Sequence, residues 1–403
     1  MSFGHQKVES RRLMLREISQ HGPLPRIDLA ERTGISRATV TSVTADLLQG
    51  GLIEEVPHEF QRNGPTRGRP RIDLRIAGSA HLIAGIKVSD SSISFVLMDF
   101  NGAYMANHER NMPFACQTPD ALATEIAIGL KALASNLGRK LDDISGVGVG
   151  ISGVVDANDS LVYWSPSLNQ RNVPFGEILS TCLGTPTYVD NDANLVAMAE
   201  LVFGIGKDYS DFIVITIESG VGMGIVLDGQ IYRGTRGCGA EFGHIKVQLE
   251  GALCRCGQRG CLEAYVADYA LVREANSIIN LSLYSSTSQS VTAILEAARA
   301  GNTTANSVIE RAGRVFAMGL ANLVNIFDPE LIILAGEQIQ FDHLYADAVI
   351  DEMQKSIVKV DKPAPDVVVH KWDNLMWARG AAAYALNFVQ DTAVEALEGT
   401  KRI

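Results

Sequence analysis

The sequence contains no stretch approaching the roughly 18 consecutive apolar residues of a membrane span, so membrane insertion is not expected. Met1 to His21 is too polar and charged to hold the apolar core of a signal peptide. Cysteine is scarce as well. Of the six, Cys116, Cys182 and Cys238 are scattered, with no spacing that suggests a secreted disulfide framework. Together these absences lead to the expectation of a cytoplasmic protein in a reducing compartment. Basic charge is also short, with 35 Lys and Arg against 46 Asp and Glu and a net charge of −11. The deficit is uneven. Residues 1–76 carry twelve Lys or Arg and nine Asp or Glu, which leaves −14 on the remainder. Acidic protein is repelled by phosphate backbones, so any nucleic-acid contact should be confined to this basic head. What is present is the composition of an ordinary soluble globular chain, 46 % hydrophobic and 20 % charged, and at 403 residues it is long enough for roughly two to four domains.

The head has the punctuation of short helices. In 7–21, Val8, Leu13 or the stem of Arg12, Leu15 and Ile18 recur at helical spacing and the run ends at Gly22. Pro23-Leu24-Pro25 then opens RIDLAERTG, closed by Gly34, and Ser36 is a ready N-cap for RATVTSVTADLLQGG. Three short helices in this order predict a helix-turn-helix unit. Val40, Val43 and Leu47 face its core by their spacing, which turns Arg37, Ala38, Thr41 and Ser42 outward near the helix N-terminus, where base edges are read. Two strand-like runs follow around the tip NGPTRGRPR, a wing with Arg62, Arg67, Arg69 and Arg71 suited to phosphates or a minor groove. A helical dimerisation domain with a solvated basic loop is the alternative for the head.

From about Ala80 short Val- and Ile-rich runs (HLIAGIKV, SISFVLMDF, GVGVGISG, DFIVITI, LIILAG) alternate with helical segments at 119–138, 192–203 and 304–326. That alternation predicts an α/β body with mixed sheets. Two similar β-β starts, at 81–106 and 212–233, suggest two related lobes with a ligand cleft between them.

The densest chemistry lies between Gly234 and Tyr265. His244, Cys254, Cys256 and Cys261 place one imidazole and three thiols within eighteen residues, with Gly257 and Gly260 allowing a tight reversal. Three soft sulfurs and one nitrogen complete a tetrahedral shell and leave no open position for an activated water, so a structural Zn2+ is expected. The alternative is four unrelated core residues. Such a knuckle would pin the loops that carry Glu241 and Glu263. Asn191 and Asp192, where a strand ends and a helix opens, supply an amide and a further carboxylate. Carboxylates and amides are the groups that pair with vicinal hydroxyls, so a polyol ligand is expected at Asn191, Asp192, Glu241, His244 and Glu263. Taken singly, Asp192 could be a helix N-terminal charge and Glu263 a solvated surface residue.

The EFGH motif, the CRCGQRGCLEA run and the NDAN motif together resemble the ROK family of repressors, open reading frames and sugar kinases, and the resemblance covers nearly the whole chain. It implies an N-terminal winged helix-turn-helix plus a two-lobed, actin-like body of the sugar-kinase type, divided as 1–76, 80–190 and 191–390, with the C-terminal helix packing back on the first lobe. It also implies sugar contacts from Asn191, Asp192, Glu241, His244 and Glu263, adds Gly153 of GISGVVD where the family's sugar loop begins, and has His244 ligate zinc beside the three cysteines. The departures concern phosphate. Family kinases carry an Asp-x-Gly-Gly-Thr loop at the first strand turn, where this chain reads AGIKVSDSS. IESGVGMG puts Glu218 where a second phosphate loop would run, and Ala335-Gly336-Glu337 adds an acid on the adenosine side.

A sugar-responsive transcriptional repressor without enzymatic activity follows. It would bind a double-stranded operator as a homodimer or homotetramer and a sugar or sugar phosphate in its body. Two alternatives stand: an ATP-dependent sugar kinase with a DNA-binding head, favoured by Asp192 at the family's catalytic-base position, and a repressor controlled by a protein partner such as a sugar-transport component. If the wing touches phosphate, Arg69→Ala should lower operator affinity and reduce the slope of log affinity against log salt by about one, read by fluorescence anisotropy across a salt series.

Overall fold

A computed structural model describes residues 3–58, 72–89, 91–112, 116–217, 219–276, 286–335, 347–361, 363–371, 373 and 375–399. It divides into two compact units. The first is Met1–Ile151, Asp159–Asp190 and Ala381–Ile403; the second is Ser152–Asn158 and Asn191–Gly380.

The first unit opens with helix α1 (Phe3–His21), the two-residue strand β1 (Leu24–Pro25), α2 (Arg26–Thr33), α3 (Arg37–Gln49) and strands β2 (Ile53–Pro57) and β3 (Ile72–Ile76). The Ser36 hydroxyl accepts from the backbone N–H of Thr39 at 3.2 Å and so caps α3, while Gly34 ends α2 in the left-handed region that glycine adopts freely. The strands form a three-stranded sheet, β1-β3-β2, in which Leu24 and Glu55 flank Leu74. Val8, Leu15, Ile18, Val40, Val43 and Leu47 are buried together. Leu13 is 38 % exposed; Met14 and Arg11 take the interior place its spacing suggested. Helix α2 starts at Arg26 with Pro25 as its N-cap, as expected, and Leu24 and Pro25 in addition form the short strand β1. Arg11, only 2 % exposed, and Lys7 both reach Asp46 Oδ2 at 2.7 Å, tying α1 to α3 by an ion pair in the head's interior.

The body of this unit begins with β4 (Leu82–Val88), β5 (Ser92–Asp99), β6 (Tyr104–Asn111), α4 (Pro119–Asn136) and β7 (Ile144–Ile151). Short strands β8 (Val154–Asp156) and β9 (Leu161–Trp164), helix α5 (Phe175–Leu183) and strand β10 (Thr187–Asn191) follow. The sheet order is β10-β7-β4-β5-β6, with β4 parallel to β7 and antiparallel to β5. Ile83, Ile86, Phe95, Leu122, Ile126, Val147 and Val149 fill its core.

The second unit contains α6 (Asp192–Phe203), β11 (Phe212–Ile217), β12 (Val221–Leu227), β13 (Gln230–Tyr232), the short α7 (Glu263–Val266), α8 (Asp268–Ala275), α9 (Thr287–Arg299), α10 (Thr303–Phe327), β14 (Leu331–Ala335), α11 (Asp347–Ser356) and β15 (Asp366–His370). Its sheet runs β13-β12-β11-β14-β15, antiparallel on the β12 side and parallel through β14 and β15. Asp228 and Gly229 both have positive φ, 51° and 68°, as the tight β12–β13 hairpin requires. Ile213, Ile215, Leu262, Phe316, Leu320 and Ile332 share one buried cluster.

Helix α12 (Met376–Gly399) starts in the second unit, where Met376 and Trp377 are buried with Val196 and Phe212. Its later turns belong to the first unit. There Phe388 stacks on Tyr188 at 4.1 Å, and a Cβ on Gly148 would meet the Ala381 carbonyl at 1.8 Å, so β7 and α12 touch backbone to backbone. Arg12 of α1 pairs with Asp391 at 3.2 Å and with Glu395, and Leu397 lies against Gly50. The head is therefore docked on the last turns of α12. Among the described residues no helix is long and apolar enough to cross a membrane. Glu218, Gly336, Glu337, Asp90 and the wing-tip arginines Arg62, Arg67, Arg69 and Arg71 lie outside the described residues. Asp46→Ala would leave the Arg11 guanidinium buried without its carboxylate, and should cost the head about 3–5 kcal/mol in urea unfolding, against under about 1 kcal/mol for Arg75→Ala, which breaks only the exposed pair of Arg75 with Glu54 at 2.8 Å.

Candidate ligand and metal site

Every residue expected to touch a polyol lies in the second unit. Asn191 caps α6, its side-chain oxygen accepting from the Ala193 N–H at 2.9 Å, while its amide nitrogen donates to the Gly153 carbonyl at 2.8 Å. Gly153 has φ 125°, a conformation that favours glycine, so the 152–153 turn can lie beside the start of α6. One residue on, Asp192 Oδ2 accepts a 2.6 Å hydrogen bond from Ser152 Oγ. The amide and carboxylate are thus fixed at a strand-to-helix junction by groups some forty residues earlier in the chain.

Glu241 directly precedes the short 3-10 turn Phe242–His244. Its carboxyl is pushed up to about 7, first by burial and then by the charges of Glu263 and Asp192. Because 43 % of its side chain remains open, the loss of hydration is partial and the two carboxylates weigh heavily. Glu263, at the start of α7, is only 7 % exposed, which removes the reading of it as a solvated surface residue. Its Oε2 accepts from the Val221 N–H at 3.3 Å and its Oε1 from the Tyr269 hydroxyl at 3.3 Å. Three carboxylates converge here, and their repulsion adds to burial in raising the proton affinity of Glu241. That group would be a hydrogen-bond donor below about pH 7 and an acceptor above it.

The ligand atoms of His244, Cys254, Cys256 and Cys261 all lie within 4.8 Å of one another. Cys254 Sγ is 3.7 Å from His244 Nδ1, and Cys256 Sγ is 3.8 Å from Cys261 Sγ. A tetrahedral ion with bonds of about 2.3 Å sets its ligand atoms roughly 3.8 Å apart, so this cluster could hold a metal ion. The chain reverses through antiparallel bridges Lys246–Cys261 and Leu253–Arg259. A Cβ at Gly260 would fall 1.7 Å from the Gln248 carbonyl, and its φ is 76°, so the reversal needs glycine there. Lys246 Nζ donates to Cys261 Sγ at 3.0 Å. Burial pushes the Cys254 thiol up to about 12, so a metal binding there must displace a firmly held proton. His244 faces both sites: Nδ1 toward the thiols and Nε2 toward Glu241 Oε2 at 3.9 Å.

In the head, Arg37, Ala38, Thr41 and Ser42 are exposed on α3 while Val40 and Val43 are buried, so the four share the outer face. Arg67 and Arg69 lie outside the described residues. Sequence patterns did not single out Ser152 or Tyr269, although serine next to the sugar-loop glycine was a readable signal for the first.

A winged helix-turn-helix joined to a body of two mixed five-stranded sheets, with a carboxylate-rich site beside a possible metal cluster, defines a DNA-binding regulator of transcription. Residues 10–59 match the MarR family. The chain belongs to the ROK family, which matches residues 83–387. It is 28 % identical over 337 residues to the DNA-binding transcriptional dual regulator NagC of Escherichia coli K12, covering 83 % of this chain and 82 % of that protein. It is 25 % identical over 351 residues to the xylose repressor of Bacillus spizizenii, covering 87 % and 88 %. The crystal structure of a ROK family transcriptional regulator, a homologue of the E. coli Mlc protein, superposes with a TM-score of 0.80 over 97 % of this chain and 98 % of that one, at 23 % identity. A ROK family glucokinase from Streptomyces griseus, solved with glucose and AMPPNP, gives 0.63 at 29 % identity over 75 % of this chain and 99 % of the glucokinase. The body is thus the actin-like, sugar-kinase type.

Cys256→Ala removes one of the four metal-ligand atoms. Purified variant should retain little metal by atomic emission and unfold about 5 °C or more below wild type, since a structural metal contributes folding energy.

Proposed function

We propose that the protein is a sugar-responsive transcriptional repressor of carbohydrate uptake or catabolism genes. The observation that carries this is the joining, in one chain, of a helix-turn-helix whose Arg37-to-Ser42 face is free of its own core to a body in which Asn191, Asp192, Glu241, His244 and Glu263 meet beside Gly153. The α3 face would enter a major groove of an operator, with Arg67 and Arg69 of the wing on the backbone. Those body residues would hold a sugar or sugar phosphate, their carboxylates accepting from vicinal hydroxyls. The relatives named as N-acetylglucosamine and xylose repressors support the effector class. His244, Cys254, Cys256 and Cys261 fit a structural Zn2+, which would keep the loops of Glu241 and Glu263 in place. The working divisions are 1–76 for DNA, 80–190 for the first lobe and 191–390 for the second. A palindromic operator calls for two heads, hence a homodimer or homotetramer in the cytoplasm, and a sugar-transport protein is a further candidate partner.

A kinase reading has one observation in its favour. Asp192 sits at the opening of α6 in a fold shared with a glucokinase, at the position that resembles the catalytic base. Against it, Ser152 already occupies Asp192 Oδ2, and the Gly-Gly-Thr phosphate loop is replaced by AGIKVSDSS. Calorimetric titration of full-length, zinc-replete protein separates the two. D-glucose, D-xylose, N-acetylglucosamine and their phosphates are tested individually, and ATP with magnesium separately. One sugar should bind, ATP should give no heat, and the bound sugar should change operator affinity roughly 5- to 150-fold. ATP binding with continuing heat and ADP release would replace the repressor reading with the enzyme.

A further inference from the structure

Tyr269 belongs to none of the sequence patterns, yet its hydroxyl stands between the two halves of the site. It lies 3.3 Å from Glu263 Oε1 and 3.7 Å from Cys254 Sγ, and those two atoms are themselves 3.4 Å apart. The ring cannot easily swing away. The Arg255 guanidinium lies 4.2 Å over its centroid while Arg255 donates to the Ser219 carbonyl at 3.3 Å, and Arg273 comes within 6.0 Å of the same ring while donating to the Leu253 and Ala264 carbonyls.

The geometry of this triangle is decisive. Among the described side chains Cys254 and Tyr269 are the donors to Glu263 Oε1, alongside the backbone N–H of Val221 on the other oxygen. Cys254 is itself one of the four candidate metal ligands, so the Tyr269 hydroxyl is the donor to Glu263 that does not belong to the cluster, and it touches that cluster through Cys254 Sγ. Without that hydroxyl the Glu263 carboxylate is freer to rotate from the position facing a ligand.

We propose that Tyr269 is a positioning residue that donates its single hydroxyl hydrogen to the Glu263 carboxylate, holding it toward the ligand, while the same oxygen packs against Cys254 of the metal cluster, so that one hydroxyl ties metal retention to effector affinity. This rests on the sugar-binding reading above for its ligand half and on the cluster geometry for its metal half. Outer partners of metal ligands are worth roughly 10- to 100-fold in affinity, which sets the scale.

The test uses full-length, zinc-replete Tyr269→Phe, which keeps the ring and its arginine stack and removes only the oxygen. Zinc release to excess chelator should accelerate roughly tenfold, and affinity for whichever of D-glucose, D-xylose or N-acetylglucosamine binds wild type should fall roughly tenfold. The operator affinity without sugar should stay at the wild-type value, and the unfolding midpoint should fall by no more than the tenfold weaker metal binding requires, about 1.4 kcal/mol, which a merely structural role would not allow. Arg255→Met, which leaves the hydroxyl but frees the ring, should shift release and affinity the same way by a smaller factor. Wild-type release and wild-type sugar affinity in Tyr269→Phe would overturn the proposal. So would equal losses in stability and affinity in both variants. If wild type binds none of the three sugars, the effector reading falls by itself, and the release rate alone then decides Tyr269: acceleration upholds its tie to Cys254, and an unchanged rate overturns it.

Discussion

A carboxylate that is 7 % exposed has to be paid for with hydrogen bonds, and the second unit is arranged around that requirement at Glu263. The start of β12 supplies the Val221 N–H, α8 supplies the Tyr269 hydroxyl, and the knuckle sets Cys254 against the same oxygen. Each of these comes from a different stretch of chain. The knuckle, α8 and the start of β12 are therefore held to one another by a single side chain. Move Glu263 and the loop of Glu241, whose proton affinity it helps to set, loses its electrostatic partner.

The head obeys the same rule with a different ion. Arg11 is even more buried than Glu263, and its charge is met by Asp46 on α3. A buried pair of this kind contributes little net stability over an apolar pair but penalises any arrangement that separates its members. It therefore fixes the packing of α1 on α3, the helix whose outer face carries Arg37 and Ser42. The charge asymmetry between head and body has a matching sense: the interior ion pairs set the head's geometry, and its surface arginines remain for a polyanion.

Much of this was legible in the sequence where the determining signals are local. Ser36 and Gly34 mark the ends of helices, and the spacing of Val40, Val43 and Leu47 faced α3 correctly because three positions within two turns fix a helix's orientation. The thiol spacing of the knuckle was legible for the same reason. Local reasoning missed what depends on a remote partner. Leu24 and Pro25 form a strand by pairing with Leu74 and Asp73, about fifty residues on. Leu13 obeyed helical spacing less well than the Met14 and Arg11 that the head actually buries, since an arginine is not scored as core until Asp46 is known to face it. Ser152 meets Asp192 across forty residues. Tyr269 is six positions after Glu263, which on one unbroken helix would put the two on different faces. The extended residue Ala267 breaks α7 from α8 and brings the ring back over the carboxylate.

The docking of the head on α12 sets an order of events during synthesis. Arg12 and Glu395 are separated by 383 positions, and Leu397 closes on Gly50 from a comparable distance. The helices of the head can form as soon as they leave the ribosome, because their core is made from neighbours. Their anchorage cannot, since its other half is translated only after both sheets of the body. A product truncated before α12 would therefore lack the half of the anchorage that Asp391, Glu395 and Leu397 supply to the head.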